Sequence, residues 1–156
     1  REMLRLWKSM IPKTIEWQER IGNQAKRDKQ LWNPFGRRCY FYGGKEFTEG
    51  ISFLPQSTGA DVIFRCMIAL MYDRIEWPRS RVERVAQVIR PLPEPARLLL
   101  QIHDELVFEA PAEAVADVVG TVCEVMSQPW PELDGLALPV NAEVGLNWME
   151  GEPWTT

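Results

Sequence analysis

The stretch LLLQIHDELVFEAP, from Leu98 to Pro111, contains the only histidine of the chain, and two carboxylates follow it directly. Apolar side chains alternate with other residues on both sides of the triplet His103-Asp104-Glu105, which predicts a β-hairpin with His103 and Asp104 at its tip. Apolar residues occupy both alternating sets, so we expect both faces of this hairpin to be covered. A hairpin set among helical segments predicts an α+β fold.

Helical periodicity flanks the hairpin on both sides. Apolar residues at three- and four-residue steps predict helical structure over 2–31, and Pro12 should break it, because an interior proline removes a hydrogen bond and clashes with the preceding turn. Ser57 or Thr58 is a candidate N-cap for the clearest helix, over 57–76. Further helices are expected over 79–90 and 112–126, an extended aromatic segment within 35–47, and a closing strand within 138–148.

Composition limits the class of protein. The chain has 156 residues, of which 46% are hydrophobic and 26% charged, so it is one globular domain or part of one. No apolar run approaches the ~20 residues that span a bilayer, and no secretory signal opens the sequence, so we expect no membrane partner and a cytosolic location. The three cysteines are widely spaced and odd in number, which predicts reduced thiols.

Charge is distributed unevenly along the chain. Residues 1–45 hold 11 Lys and Arg against 4 Asp and Glu, whereas the rest of the chain is acidic. A basic first third suits a polyanionic partner, and it equally suits a solvated helix surface. Charge alone leaves both readings open.

A single histidine excludes several chemistries. Neighbouring His103 and Asp104 point in different directions on an extended chain, so they do not form the paired arm of a Ser-His-Asp triad. Zinc enzymes need several His or Cys ligands together, which this chain does not offer. Phosphate-binding glycine loops of the GxxxxGK[ST] and GxGxxG types do not occur in the sequence.

The carboxylates at the hairpin tip suit a hard cation. Mg²⁺ prefers carboxylate oxygens and shares its coordination with substrate phosphates. A two-metal site also needs a second carboxylate on a neighbouring strand, so Asp104 alone is half of such a site. The alternative is an ordinary solvated turn, because aspartate bonds nearby backbone N–H groups in many turns.

Several longer segments decide between these readings. QIHDELVFEAP resembles the third motif of bacterial DNA polymerase I-like (family A) DNA polymerases, and other segments resemble further parts of that family in the same order. The segment that leaves the fingers toward the palm is matched by WKSMIPKTIEWQERI, and the FGRR element by PFGRRCYF. The family's Q-G-T-A-A-D helix is matched by LPQSTGADVIFRCMIALM, and its closing E-V-G…W strand by LPVNAEVGLNW. Glu105 favours a DNA polymerase over single-subunit RNA polymerases, which carry serine there.

The resemblance implies specific roles at the hairpin tip. Asp104 would be the catalytic metal ligand, Glu105 a less critical carboxylate of the same site, and His103 a neighbour of the primer terminus. Two Mg²⁺ ions would be shared with a second aspartate that this chain lacks. Primer–template DNA and deoxynucleoside triphosphates are the implied substrates.

The resemblance also implies contacts to DNA. Arg37 and Arg38 would hold the template–primer backbone, and Gln56 would hydrogen-bond in the minor groove of the newly formed pair. Ser52 replaces the family's usual asparagine, so its groove contact is expected to be weaker, and Ser57 stands in place of a glycine. By residue type alone, the arginines are also compatible with solvated charges and Gln56 with a capping amide. The tryptophans are expected in the core rather than as platforms for bases.

The resemblance divides the chain into residues 1–50, the end of the fingers with the basic FGRR segment, and 51–156, a palm segment with the hairpin. The family's first motif, the D-Y-S-Q strand with the other catalytic aspartate, has no counterpart here. The implied protein is the C-terminal part of a DNA polymerase, working with an upstream segment or subunit in the cytoplasm, nucleoid or a phage-infected cell. The alternative is a non-catalytic DNA-binding or structural remnant. The proline-rich insert at 77–95 has no assigned role.

Overall fold

The computed structural model describes residues 2–75 and 78–154, and its fold is α+β, as the sequence predicts. Contacts group the chain into two compact units, one ending at Gly59 and the next beginning at Ala60. The sequence division at residue 50 stays a prediction. The helices are α1 (Glu2–Met10), α2 (Pro12–Asp28), α3 (Glu46–Leu70), α4 (Arg79–Val82) and α5 (Val115–Met126), and the strands are β1 (Gln30–Trp32), β2 (Arg38–Tyr40), β3 (Arg97–Ile102), β4 (Glu105–Glu109), β5 (Glu143–Val144) and β6 (Glu152–Pro153).

The first helices follow the predicted break. Helix α1 ends before Pro12, and α2 begins at that proline, where the missing N–H costs nothing. Helix α2 ends at Asp28 rather than near residue 31, because Lys29 adopts a left-handed conformation, with φ 56°, and donates its N–H to the Ala25 carbonyl. The chain then enters β1, which pairs antiparallel with β2.

The core of the first unit is built where α2 meets the β1–β2 hairpin and the start of α3. Its buried members are Ile21, Ala25, Leu31 and Phe41, and Trp17, Cys39, Phe53 and Leu54 pack against them. Glu46, at the first position of α3, accepts a hydrogen bond from Lys29 Nζ at 2.8 Å and one from the Gly44 N–H at 3.3 Å. The Lys29 hydrogen bond lowers the pKa of the Glu46 carboxyl. This pair links the end of α2 to the start of α3.

The predicted start of the long helix is wrong. Helix α3 begins at Glu46, so Ser57 and Thr58 lie inside it and are not N-caps; their hydroxyls donate to the Leu54 carbonyl at 3.4 and 2.6 Å. The helix continues through Pro55, since Phe53 and Leu54 are anchored against the core. It ends at Leu70 and is followed by a 3-10 turn at Tyr72–Arg74. The prediction that the helix runs to 76 is therefore wrong for residues 71–75, and residue 76 lies outside the described residues.

The second unit contains the predicted hairpin. Strand β3 pairs antiparallel with β4, and the register shifts between Leu98 and Leu100, which leaves Leu99 in a bulge. The prediction that both faces are covered is wrong within the described residues: Leu99 is 51% exposed and Leu100 47%. Among the described residues β3 and β4 pair only with each other, so the hairpin is not an inner part of a larger, covered sheet.

Helix α5 follows a 3-10 turn at Ala112–Ala114, which agrees with the helix predicted over 112–126. The helix predicted over 79–90 is shortened to α4. Past Val82 the chain forms turns, and the buried Gln128 side chain accepts the N–H groups of Gln87 and Val88 at 2.7 and 3.0 Å, so these two residues do not continue a helix. The predicted closing strand is reduced to β5, which pairs with β6.

The sequence also predicts reduced cysteines and buried tryptophans. All three cysteines are free thiols, as predicted. Trp130 lies in the core at 1% exposure, but Trp7, Trp32 and Trp148 are 51%, 50% and 63% exposed, so the expectation of buried tryptophans is wrong for these three. Trp7 lies on α1, Trp32 on β1 and Trp148 in a turn, and each side chain is on the solvent side of its element. Trp77 lies outside the described residues.

Candidate active-site turn and nucleic-acid interface

The hairpin tip is a two-residue loop. Ile102 and Glu105 are the last cross-strand pair, so His103 and Asp104 connect the strands directly. His103 has φ 54°, a left-handed conformation that such a tight turn demands. Gln101 Nε2 donates to the His103 carbonyl at 2.6 Å and fixes the turn from its own strand. The turn therefore presents a histidine and two carboxylates at one exposed point of the second unit.

The donor set at this tip suits Mg²⁺ but does not complete a site. Asp104 and Glu105 offer carboxylate oxygens, the ligand type that Mg²⁺ prefers, and both side chains are exposed. Across the described ranges, no group of three or more His, Cys, Asp or Glu residues lies close enough to hold a metal ion. The chemistry of the donors therefore fits half of a two-ion centre.

A second candidate region is the turn between β1 and β2. Asn33 is 4% exposed, and its Oδ1 accepts the N–H groups of Phe35 and Arg37 at 3.0 and 2.9 Å. The Asn33 N–H donates to the Arg37 carbonyl, and Gly36, with φ 84°, donates to the Asn33 carbonyl. This asparagine thus fixes the loop that leads into Arg37 and Arg38. Sequence reasoning missed it, although Asn-Pro with glycine two residues later is a turn signal.

The outward side of the β1–β2 hairpin is aromatic. Trp32 is the cross-strand partner of Arg38, whose guanidinium lies 5.9 Å from the Trp32 ring centroid and 4.7 Å from that of Tyr40. The Tyr40 and Tyr42 rings stack with centroids 6.0 Å apart and planes 14° from parallel. We call Trp32, Arg38, Tyr40 and Tyr42 the aromatic face. The alternation of Tyr40, buried Phe41 and Tyr42 was the available signal for it.

The residues predicted to read the minor groove lie on α3. Ser52 and Gln56 are one helical turn apart, so they share one side of the helix, and both are exposed. They belong to the same unit as Arg37 and Arg38. The hairpin tip with Asp104 belongs to the other unit.

Comparison with known proteins identifies the family of the chain. The sequence pattern of DNA polymerase family A matches residues 1–150. The thermostable DNA polymerase I of Thermus aquaticus is 33% identical over 153 residues, and the DNA polymerase I of Geobacillus stearothermophilus is 29% identical over 136 residues. These alignments cover 92% and 81% of this chain but 15% and 14% of the relatives. The DNA polymerase I of Chloroflexus aurantiacus is 47% identical over 57 residues, which cover 36% of this chain and 6% of that protein.

The matched relatives are DNA polymerases, a class of nucleic-acid enzyme. The chain belongs to DNA polymerase family A. It spans about a seventh of the length of the relatives with which it aligns most fully. In 2–75 and 78–154, no helix is long and apolar enough to cross a membrane.

Proposed function

We propose that this chain forms the C-terminal palm segment of a DNA-directed DNA polymerase. In the proposed reaction the primer 3′-hydroxyl attacks the α-phosphate of a deoxynucleoside triphosphate, and pyrophosphate leaves. The observation that supports this most is the tight turn that exposes Asp104 and Glu105, within a chain that matches the family over residues 1–150. Its setting would be the cytoplasm or nucleoid.

The hairpin tip would hold the reacting groups. Asp104 would bind Mg²⁺ through its carboxylate, with Glu105 as the weaker ligand, and His103 would lie beside the primer terminus. When bound, Mg²⁺ polarises the attacking hydroxyl and offsets charge on the triphosphate. Because two neighbouring carboxylates make only half of a two-ion centre, an aspartate from an upstream segment or partner chain would complete it.

The first unit would hold the DNA. Arg37 and Arg38 would contact the backbone of the template–primer duplex, which positions it without reading its sequence. Gln56 and Ser52 would face the minor groove, where the acceptors are similar for every correct pair, so contacts there test the shape of the pair. The exposure of all four side chains supports these roles.

A second candidate is a non-catalytic remnant that keeps the fold and binds DNA. The exposed leucines of the hairpin and the incomplete donor set are compatible with it. The pair of adjacent carboxylates at one exposed turn argues for the catalytic function, since a non-catalytic remnant gains nothing from it. A reading frame that encodes the D-Y-S-Q motif beside this segment would favour the polymerase.

The test is primer extension by the complete assembly, meaning this segment together with its upstream polymerase part. Asp104→Asn should lower extension by at least about 100-fold, because an amide is a poor ligand for a hard cation. Binding of primer–template DNA should change little, since Asp104 is not a phosphate contact. Glu105→Gln should reduce extension less than Asp104→Asn does.

Glu109→Gln is the matched control. Glu109 is an exposed carboxylate of the same hairpin, at the end opposite the turn, where Arg97 is its neighbour in the strand register. Its substitution should leave extension unchanged. A rate for Asp104→Asn within a few-fold of the unmodified assembly would show that this residue is not the metal ligand.

A further inference from the structure

The aromatic face is exposed although its hairpin has a buried side. Along β1 and β2, Leu31 is 2% exposed and contributes to the core, whereas Trp32 is 50% and Tyr40 47% exposed. Tyr42 follows at 78% exposure, after buried Phe41. The free energy falls when large aromatic rings leave water. A set of rings held on one outward side therefore indicates a contact surface.

The rings are held in a fixed order by one cation. Arg38 lies between the Trp32 and Tyr40 rings, and Tyr40 stacks on Tyr42, so the four side chains form a continuous row. Asn33 fixes the turn below that row through the Phe35 and Arg37 N–H groups. The row is therefore ordered before any partner binds, which lowers the entropy cost of binding.

The charge of the surrounding sequence selects the partner. Residues 1–45 carry 11 Lys and Arg against 4 Asp and Glu. Aromatic side chains interleaved with basic ones are the combination that binds single-stranded nucleic acid, since bases stack on the rings and phosphates meet the cations. An apolar protein segment would gain nothing from the arginine in the centre of the row.

We infer that the aromatic face binds single-stranded DNA by stacking unpaired bases on Trp32 and Tyr42, with Arg38 as the cation between them. This binding does not depend on the base sequence of the DNA, because every base has a π-face. It needs neither a metal ion nor a nucleotide, but it rests on the proposed function, in which Arg38 already contacts DNA, and adds Trp32 and Tyr42 to that contact. In a polymerase such a surface would hold template ahead of or beside the paired region.

The experiment compares two oligonucleotides of about 16 nucleotides, a length within the usual footprint of such surfaces. One is oligothymidine, and the other is an abasic strand with the same number of phosphates. Fluorescence anisotropy with the 156-residue chain, in EDTA and without nucleotides, gives both dissociation constants. The chain should bind oligothymidine at least about fivefold more tightly, the smallest effect expected for one stacked base.

Trp32→Ala should weaken oligothymidine binding at least about fivefold and leave abasic binding nearly unchanged. Trp7→Ala is the matched control: it removes the same side chain from a site of equal exposure, 51%, on α1 of the same unit. It should change neither constant. Trp32→Phe and Tyr42→Phe keep a ring and should retain most of the affinity, whereas Tyr42→Leu should lower it; circular dichroism confirms that each variant folds.

Several results overturn the inference. Equal affinity for the two strands would mean phosphate contact alone, and equal losses for Trp32→Ala and Trp7→Ala would mean that the face is not the site. Undetectable binding by the unmodified chain also overturns it. If Trp32→Ala instead changes the sedimentation of the chain and not its DNA binding, the face is a protein contact. The readout is binding in EDTA and not primer extension, so this outcome is separate from that of the proposed function.

Discussion

At the scale of single residues, buried polar side chains direct the backbone. Asn33 accepts two N–H groups and fixes the turn before Arg38, and Gln128 accepts the N–H groups of Gln87 and Val88 in the loop after α4. A buried amide with paired partners avoids the cost of an unsatisfied polar group, and it determines where the neighbouring loops run. The positions of both loops therefore depend on side chains that no apolar pattern reveals.

Cys66 makes a prediction at the same scale. Its thiol is fully buried, and burial raises its pKa from 9.0 to about 12. Between these values the folded chain keeps a proton that the unfolded chain releases, so the free energy of unfolding should fall as pH rises above about 9. The limiting slope is about 1.4 kcal/mol per pH unit.

Urea unfolding at about pH 8 and about pH 10.5 measures this slope. Cys66→Ala should be less stable at both values because of the cavity it leaves, but its stability should depend less on pH. Cys39→Ala, in the other unit, should keep the full dependence. An unchanged slope in Cys66→Ala would assign the pH effect to other groups.

At the scale of elements, close packing of α3 against α2 decides the first unit. A Cβ on Gly50 would lie 2.5 Å from Ala25 Cβ and 3.2 Å from Leu31 Cδ1, both in the buried core. A Cβ on Gly22 would meet the Phe47 ring. These two glycines allow the backbones of α2 and α3 to approach, and the Lys29–Glu46 ion pair joins the helix ends nearby.

Gly50→Ala should therefore lower the free energy of unfolding by about 1–3 kcal/mol, the usual cost of overpacking. Gly59→Ala, in the same helix but with nothing within 4 Å of its Cβ position, should raise it by about 0.5–1 kcal/mol, since alanine suits a helix better than glycine. Denaturant unfolding of both variants checks the pair. Equal effects would contradict the packing argument.

At the scale of the whole molecule, the β3–β4 hairpin is incomplete as a sheet. Leu99 and Leu100 are about half exposed, and both outer edges of the strand pair lack a ladder partner among the described residues. Unpaired edges and exposed leucines favour association with another strand. The proposed metal-binding tip and the exposed leucines are parts of one hairpin.

The chain alone should therefore catalyse no primer extension with Mg²⁺ and all four nucleotides. It should bind the polymerase fragment that carries the upstream motifs, and the mixture should synthesise DNA. A gel assay of each part and of the mixture measures this. Robust extension by the chain alone would show that the active site is misplaced, and a stable but inactive mixture would favour the non-catalytic remnant.

The same hairpin could be predicted because its signals are local. Period-two alternation and a two-residue turn depend only on residues that are close in the sequence. Strands β3 and β4 and the tip with Asp104 can therefore be predicted from the sequence. Pro12 likewise separates α1 from α2 by removing one hydrogen bond. The roles of Asp104, Glu105, Arg37, Arg38 and Gln56 came from family resemblance and stay predictions.

Tertiary structure decided what depends on distant partners. The start of α3 at Glu46 is set by Lys29 and by the core beneath Gly50, whereas the apolar stripe indicated only the later part of that helix. The exposure of Trp32 follows from which side of β1 meets the core. Local sequence determines the conformation that a segment prefers, but burial depends on which segments meet, and only the folded chain brings those together.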